Sequence, residues 1–152
     1  MAYSNADEVK ALFRDFPNTT DAAVDDTKIN NFLNSMSNLV DARLKGFYQL
    51  PISYANNPIS YSIISQIVAF KVAAIVDDIL NTYSEADKKP IWDKKADQML
   101  DDIAPKRNKD GGQPTPNNIL PDATYLGSSN SSSTIKLSST ATPVFTKGGK
   151  NW

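Results

Sequence analysis

The chain has 152 residues, no cysteine, no histidine and a net charge of -1 at pH 7. This length predicts one domain with a modest core. The absence of both residue types excludes disulfides, thiolate nucleophiles, the usual zinc sites and a Ser-His-Asp triad. The opening MAYSNADEVK lacks a basic region followed by an apolar run, and no stretch approaches ~18 uninterrupted apolar residues, so we expect a soluble chain.

Charge and composition divide the chain into two parts. Residues 1–104 carry 10 Lys and Arg against 15 Asp and Glu, whereas residues 105–152 carry 6 against 2. The second part is rich in Pro, Gly and Asn, and Ser and Thr supply 10 of the 16 residues from Gly127 to Thr142. Such a composition offers little apolar area to offset ordering. We therefore predict a helical body over 1–104, net acidic, and an extended polar C-terminal arm over 105–152, net basic.

The first two helices are marked by caps and apolar spacing. Ser4 or Asn5 can cap the first, which Pro17 ends. Asp25 or Asp26 lies at the start of the second helix, and Gly46 lies near its end. The apolar residues of the second helix fall within an arc of roughly 140°; they are Ile29, Phe32, Leu33, Met36, Leu39, Val40, Leu44 and Phe47.

Arg43 projects into that apolar arc. One interpretation is that its stem covers the core while the guanidinium reaches water. The alternative is an ion pair with an acidic neighbour, either within the chain or across a subunit boundary.

The third and fourth helices complete the body. The third, from about Ser60 to Tyr83, is apolar around much of its circumference, which requires neighbours on more than one side or a second subunit. The fourth, around Lys88 to Ile103, has Pro90 in its first turn. The predicted fold is mainly α, a small four-helix bundle with an extended C-terminal arm containing short β segments. In the arm, Tyr125-Leu126, Thr134 to Leu137 and Pro143 to Phe145 are β-prone.

No catalytic constellation is recognisable, and we predict no enzyme, cofactor or metal. The acidic doublets Asp25-Asp26, Asp77-Asp78 and Asp101-Asp102 point adjacent side chains about 100° apart on a helix, which favours solvated faces. The alternative is a Mg²⁺ site, which would require two doublets from different helices to meet. The glycine pairs lack the flanking strand and helix of a phosphate loop.

The order of these elements resembles the head-to-tail connector proteins of tailed bacteriophages, also called head completion or adaptor proteins. YSNADEVKALFRDFP is similar to that family's opening helix, and TTDAAVDDTKINNFL leads into the second. The pattern D-x-x-L-x-x-x-Y-x-L-P follows, at Asp41, Leu44, Tyr48, Leu50 and Pro51. The resemblance covers residues 2–103, and Phe47 stands where many relatives have Arg.

The resemblance implies a structural virion protein, a head-to-tail adaptor at the interface between head and tail, assembled in the host cytoplasm. Such subunits form a homo-oligomeric ring, dodecameric in the family, beneath the portal, and join the DNA-filled head to the neck or tail. Expected partners are the portal protein, sibling subunits and a downstream neck or tail protein, with DNA passing through the lumen without sequence-specific binding and no membrane.

Two groups of residues follow as candidate sites. The interface with the portal or a sibling subunit is expected on the arm, at Ile135, Lys136, Leu137, Val144, Phe145, Lys147, Lys150 and Trp152. Strand addition would provide affinity there, with Phe145 and Trp152 as anchors. The junction and subunit boundary is expected at Arg43, Phe47, Tyr48, Leu50 and Pro51, with the junction packed on the third helix. A solvated arm is the alternative, and a cytosolic helical nucleic-acid-binding regulator with a basic tail is the rival function.

Overall fold

A computed structural model describes residues 2–13, 16, 23–80 and 91–127. This part of the chain is mainly helical, as predicted. It contains α1 (Ala6–Lys10), α2 (Asp26–Leu44), α3 (Pro58–Leu80) and α4 (Ile91–Ile103). The predicted end of the third helix at Tyr83 and the predicted start of the fourth, with Pro90, lie outside the described residues.

The first two helices begin where the local sequence predicts. Asn5 caps α1 by accepting the Glu8 amide at 3.0 Å, and the Glu8 carboxylate returns to the Asn5 amide at 3.3 Å, which completes a capping box. Asp25 caps α2 by accepting the Lys28 amide at 2.7 Å. These side chains satisfy amides that have no partner within the helix.

The central element is α3, which packs against each of the other three helices. Its apolar circumference is therefore largely covered within one chain. The buried positions are Ser60, Ile64, Ile67, Val68, Ala69, Phe70, Val72, Ala73, Ala74 and Val76. Among the described helices, α3 is long and apolar enough to cross a membrane by length and composition, but 56% of its most apolar window is buried inside the fold. A core helix has the same composition, so this is weak evidence for a membrane span.

The end of α2, the start of α3 and the end of α4 meet at one end of the body, which we call the junction end. Arg43 near the end of α2 contacts Asp101 and Ala104 at the end of α4. The loop 45–57 connects α2 to α3 there. Residues 105–127 also lie at this end, because the Leu126 amide donates to the Phe47 carbonyl at 2.8 Å and the Gln49 amide donates to the Thr124 carbonyl at 2.9 Å.

The first part of the predicted arm is thus folded onto the body. Leu120 is 1% exposed and belongs to the hydrophobic core. The Asn118 amide donates to the Asp102 carbonyl at 3.0 Å, and Tyr48 and Tyr125 form an antiparallel bridge. Residues 105–127 lack the composition of a core segment, and they are held by a few long-range contacts that composition does not encode.

A partly buried lysine joins α3 to α4. The Lys71 ammonium lies 2.7 Å from Asp93 and 2.6 Å from Asp97, and its side chain is 15% exposed. Burial alone would lower the pKa of Lys71, but the hydrogen bonds and charges of the two carboxylates outweigh it and raise that pKa. The raised pKa means that the charged form stabilises the folded state.

We expect Lys71→Met to lower the free energy of unfolding by about 1–2 kcal/mol near neutral pH, a figure discounted for partial exposure. Because the folded-state pKa is raised, this contribution is complete below the ordinary lysine pKa of 10.5 and is lost as the pH rises through the folded-state value. Urea unfolding of the natural protein and of Lys71→Met at increasing alkaline pH measures this difference in unfolding free energy. A stability difference that stays constant through the most alkaline point would contradict this role. Lys94→Met, on the exposed surface of α4, is the control.

Candidate assembly surface at the junction end

Tyr48 is the hub of the junction end. Its hydroxyl donates to the Ile103 carbonyl at 3.0 Å and accepts from the Leu120 amide at 3.3 Å. Its ring lies 5.7 Å from that of Tyr125. Burial is the main cause of the raised pKa of Tyr48, so the hydroxyl stays protonated and can donate. One side chain therefore connects the loop after α2 to the end of α4 and to the segment 118–126.

Tyr48→Phe is expected to lower the free energy of unfolding by about 1–3 kcal/mol, because the Leu120 amide loses its acceptor in a buried place. Chemical denaturation measures the change. Tyr54→Phe is the matched control, since Tyr54 is 67% exposed. Equal stability of the two variants would mean that the Tyr48 hydroxyl is not the link between these segments.

The side chains of Phe47 and Tyr48 are buried in the hydrophobic core of the chain. The hydroxyl of Tyr48 is hydrogen bonded to the Ile103 carbonyl and the Leu120 amide. Leu50 is half-buried against the core and Pro51 is exposed. The assignment of these four residues to a subunit boundary stays a prediction.

Arg43 forms an ion pair within the chain. Its guanidinium binds Asp101, and its Nε donates to the Ala104 carbonyl at 2.7 Å. Of the two interpretations of Arg43, the structure therefore has the ion pair with an acidic residue of the same chain. The guanidinium does not simply reach into water. Because Ala104 lies just past the last turn of α4, the arginine also satisfies a carbonyl at a helix end.

Asp122 caps α3 from a distant part of the sequence. Its carboxylate accepts the amides of Ile59 and Ser60, each at 2.9 Å, and also binds the Ser60 hydroxyl. The Asn57 side chain donates to the Asp122 backbone carbonyl. Desolvation alone would raise the pKa of Asp122, but these hydrogen bonds lower it. A carboxylate that binds the first amides of a helix is stabilised by both hydrogen bonds and the helix dipole.

Sequence reasoning missed Asp122, since it follows Ser60 by 62 residues and lies in a stretch assigned to the polar arm. No local signal pointed to a distant cap, because Asn57 precedes Pro58 at the cap position and Asn is a favoured N-cap residue. In the structure the Asn57 side chain donates to the Asp122 carbonyl instead.

Large apolar side chains are exposed around this same end of the body. Six are exposed in the described part of the chain, and four of them belong to the loop before α3, the start of α3 and the segment 119–126. Those four are Tyr54, Ile59, Ile119 and Leu126. The other two, Leu39 and Ile91, lie on α2 and α4. Exposed apolar side chains concentrated in one region are typical of a surface that binds another protein.

The predicted arm interface lies outside the described residues, at Ile135, Lys136, Leu137, Val144, Phe145, Lys147, Lys150 and Trp152. Within the described ranges, no three carboxylates are grouped so that they could hold a metal ion. Asp101 of one predicted doublet is paired with Arg43, and Asp102 accepts from the Asn117 side chain at 3.2 Å. These carboxylates serve the fold of the junction end.

The junction end thus combines a hydrogen-bonded interior with several exposed apolar side chains. Comparisons of the chain with protein-family models, with curated proteins and with solved structures found no match.

Proposed function

We propose that this chain is a structural virion protein, a head-to-tail adaptor. Its subunits form a ring beneath the portal and join the DNA-filled head to the neck or tail. The helical body forms the ring, and the arm beyond Gly127 docks on the portal or on a sibling subunit. The observation that carries this proposal is the group of exposed apolar residues at the junction end, the same end from which the remaining 25 residues leave the described body.

The junction end is suited to repeated protein contacts. Its backbone is held by Tyr48, Arg43 and Asp122, so side chains such as Ile59 and Leu126 are presented from an ordered surface. Binding to an ordered surface loses less conformational entropy than binding to a mobile one. In a closed ring each subunit makes this contact twice, so modest interfaces are sufficient.

The fold proposed for the whole chain is a small four-helix bundle with an extended arm that contains short β segments. The isolated bridge between Tyr48 and Tyr125 supports it, because residues 124–126 are hydrogen bonded to the body through their backbone. The sequences Thr134 to Leu137 and Pro143 to Phe145 have the β-prone composition for similar pairing with a partner strand.

Co-sedimentation with the portal of the same virus tests the proposal. The full chain is expected to bind, and a chain that ends at Gly127 is expected to bind at least tenfold more weakly, which is about 1.4 kcal/mol. Truncation after Gly127 keeps every described contact of the body, whereas truncation after Ile103 would remove Leu120 and Asp122. Equal binding of the full chain and the chain ending at Gly127 would contradict the docking role of the arm.

Matched surface variants test the assembly role of the junction end. Ile59→Ser and Leu126→Ser each change an exposed side chain there, and Leu39→Ser changes a similarly exposed side chain on α2. We expect the first two to reduce ring formation on the portal, as seen by electron microscopy, and Leu39→Ser to leave it unchanged. Loss of ring formation by Leu39→Ser, but not by Ile59→Ser or Leu126→Ser, would contradict the proposed surface.

Binding to duplex DNA distinguishes the rival function. A nucleic-acid-binding regulator would bind with sub-micromolar affinity at physiological salt and with a steep salt dependence. The adaptor is expected to bind weakly, since residues 1–104 are net acidic and DNA must pass the ring freely.

A further inference from the structure

A cleft lies between α1 and α3, apart from the contacts that hold the junction end. Its volume is about 820 Å³. Tyr3, Tyr54 and Tyr61 form one aromatic wall, with ring centroids 5.3 Å apart for Tyr3 and Tyr61 and 5.8 Å apart for Tyr54 and Tyr61. Tyr54 is 67% exposed, so a large part of this wall is open to an occupant.

The rest of the lining contains both polar and apolar side chains and carries one negative charge. Glu8 accepts hydrogen bonds from Ser4 at 2.5 Å and from Ser65 at 3.2 Å. The described lining contains neither Lys nor Arg. Ser62 and Gln66 add a hydroxyl and an amide that can bind a peptide backbone. An aromatic wall beside a carboxylate suits an extended segment that contains proline, an aromatic side chain and lysine.

The C-terminal residues of this chain have that composition. Residues 143–152 read PVFTKGGKNW, with one proline, two aromatic residues and two lysines, and residues 128–152 contain no Asp or Glu. The charge of this segment is therefore complementary to Glu8. Pro143 and Phe145 match the aromatic wall in chemistry, and Lys147 and Lys150 match the carboxylate.

The described body ends close to the cleft. Asp122 is hydrogen bonded to Ser60, which is the residue before Tyr61 of the cleft wall. Gly127 follows Asp122 by five residues, so it lies within about 18 Å of that point. Pro143 follows Gly127 by 16 residues, a separation of up to about 55 Å, which is ample to return to the cleft of the same molecule.

We propose that the cleft between α1 and α3 binds residues 143–152 of the same chain. An intramolecular site competes well against external partners, because a covalent connection of this length gives an effective concentration of about millimolar. The free protein then holds Phe145 and Trp152 on its own surface, and a partner that binds the arm must first displace them. The proposal does not rest on the virion role, since it concerns the isolated chain.

Disulfide trapping in the full chain tests it, because the natural sequence has no cysteine. Ser62→Cys on the cleft is combined with Thr146→Cys beside Phe145. The control combines the same Thr146→Cys with Asn34→Cys, an exposed position on α2 outside the cleft. Under mild oxidation of dilute protein, we expect the cleft pair to form an intramolecular disulfide about tenfold faster than the control pair, because docking raises the local concentration.

A further substitution, added to the Ser62→Cys and Thr146→Cys pair, tests whether the rate of disulfide formation depends on the proposed contacts. Tyr54→Ala removes an exposed wall residue, and Phe145→Ser removes its proposed ligand. Each is expected to slow trapping to the control rate with unchanged thermal unfolding. Equal rates in the cleft and control pairs would overturn the proposal, as would a crosslink formed mainly between two molecules or trapping that neither substitution slows. Portal binding is measured separately, so failure here is distinguishable from failure of the adaptor role.

Discussion

A chain that ends at Ile103 is expected to lose roughly 4 kcal/mol or more of unfolding free energy relative to a chain that ends at Gly127. The loss has three sources in the deleted segment. Leu120 is buried in the core, Asp122 caps α3, and the Leu120 amide is one of the two hydrogen-bond partners of the Tyr48 hydroxyl. Since a domain of this size is stable by about 5–15 kcal/mol, the shorter chain would be at the edge of folding.

Urea unfolding of the three lengths, ending at Ile103, Gly127 and Trp152, measures this effect. Leu120→Ala and Leu126→Ala in the full chain are the matched point variants, because one side chain is buried and the other is exposed in the same segment. Only Leu120→Ala is expected to destabilise, by about 2–5 kcal/mol. If the chains ending at Ile103 and Gly127 unfold alike, residues 105–127 do not belong to the folded body.

Ile67→Ala is expected to lower the free energy of unfolding by about 2–5 kcal/mol, because Ile67 is fully buried in the centre of α3 and its truncation leaves a cavity. Ile59→Ala at the start of the same helix removes the same atoms from a side chain that is 56% exposed. We expect this control to change stability by less than about 0.5 kcal/mol. Thermal and chemical unfolding of both variants test the division of α3 into a core part and an exposed part.

The opposite order of stability would contradict the central position of α3. If Ile67→Ala is tolerated and Ile59→Ala is not, then α3 does not lie at the centre of the body, and its apolar surface serves another contact. The described packing of α3 against α1, α2 and α4 predicts that Ile67→Ala destabilises the protein and that Ile59→Ala does not.

The helices could be predicted from the sequence because their signals are local. The side chains of Asn5 and Asp25 each accept a hydrogen bond from an amide three residues later in the chain. The apolar spacing that marks α2 and α3 likewise lies within each helix. The need of α3 for neighbours on several sides also followed from its own composition. Short-range chemistry decides each of these features.

The contacts of the junction end could not be predicted in the same way. Arg43 binds Asp101, which is 58 residues away, and Asp122 caps a helix that begins more than 60 residues earlier. Leu120 is buried in a stretch that is otherwise mostly exposed, with Pro116 as a second buried residue. Composition identifies such a stretch as unable to fold by itself. It does not reveal a segment that folds by adding one leucine and one carboxylate to a surface already formed.

The hydrogen bonds between Asp122 and α3 also determine how a pull on the arm reaches the body. A force on residues 128–152 arrives first at Leu126 and Asp122, which hold the loop after α2 and the first turn of α3. The load is therefore shared between the first turn of α3 and, through Tyr48, the end of α4. A force on the arm would thus act on the core of the body and not on a terminal strand of surface chain alone.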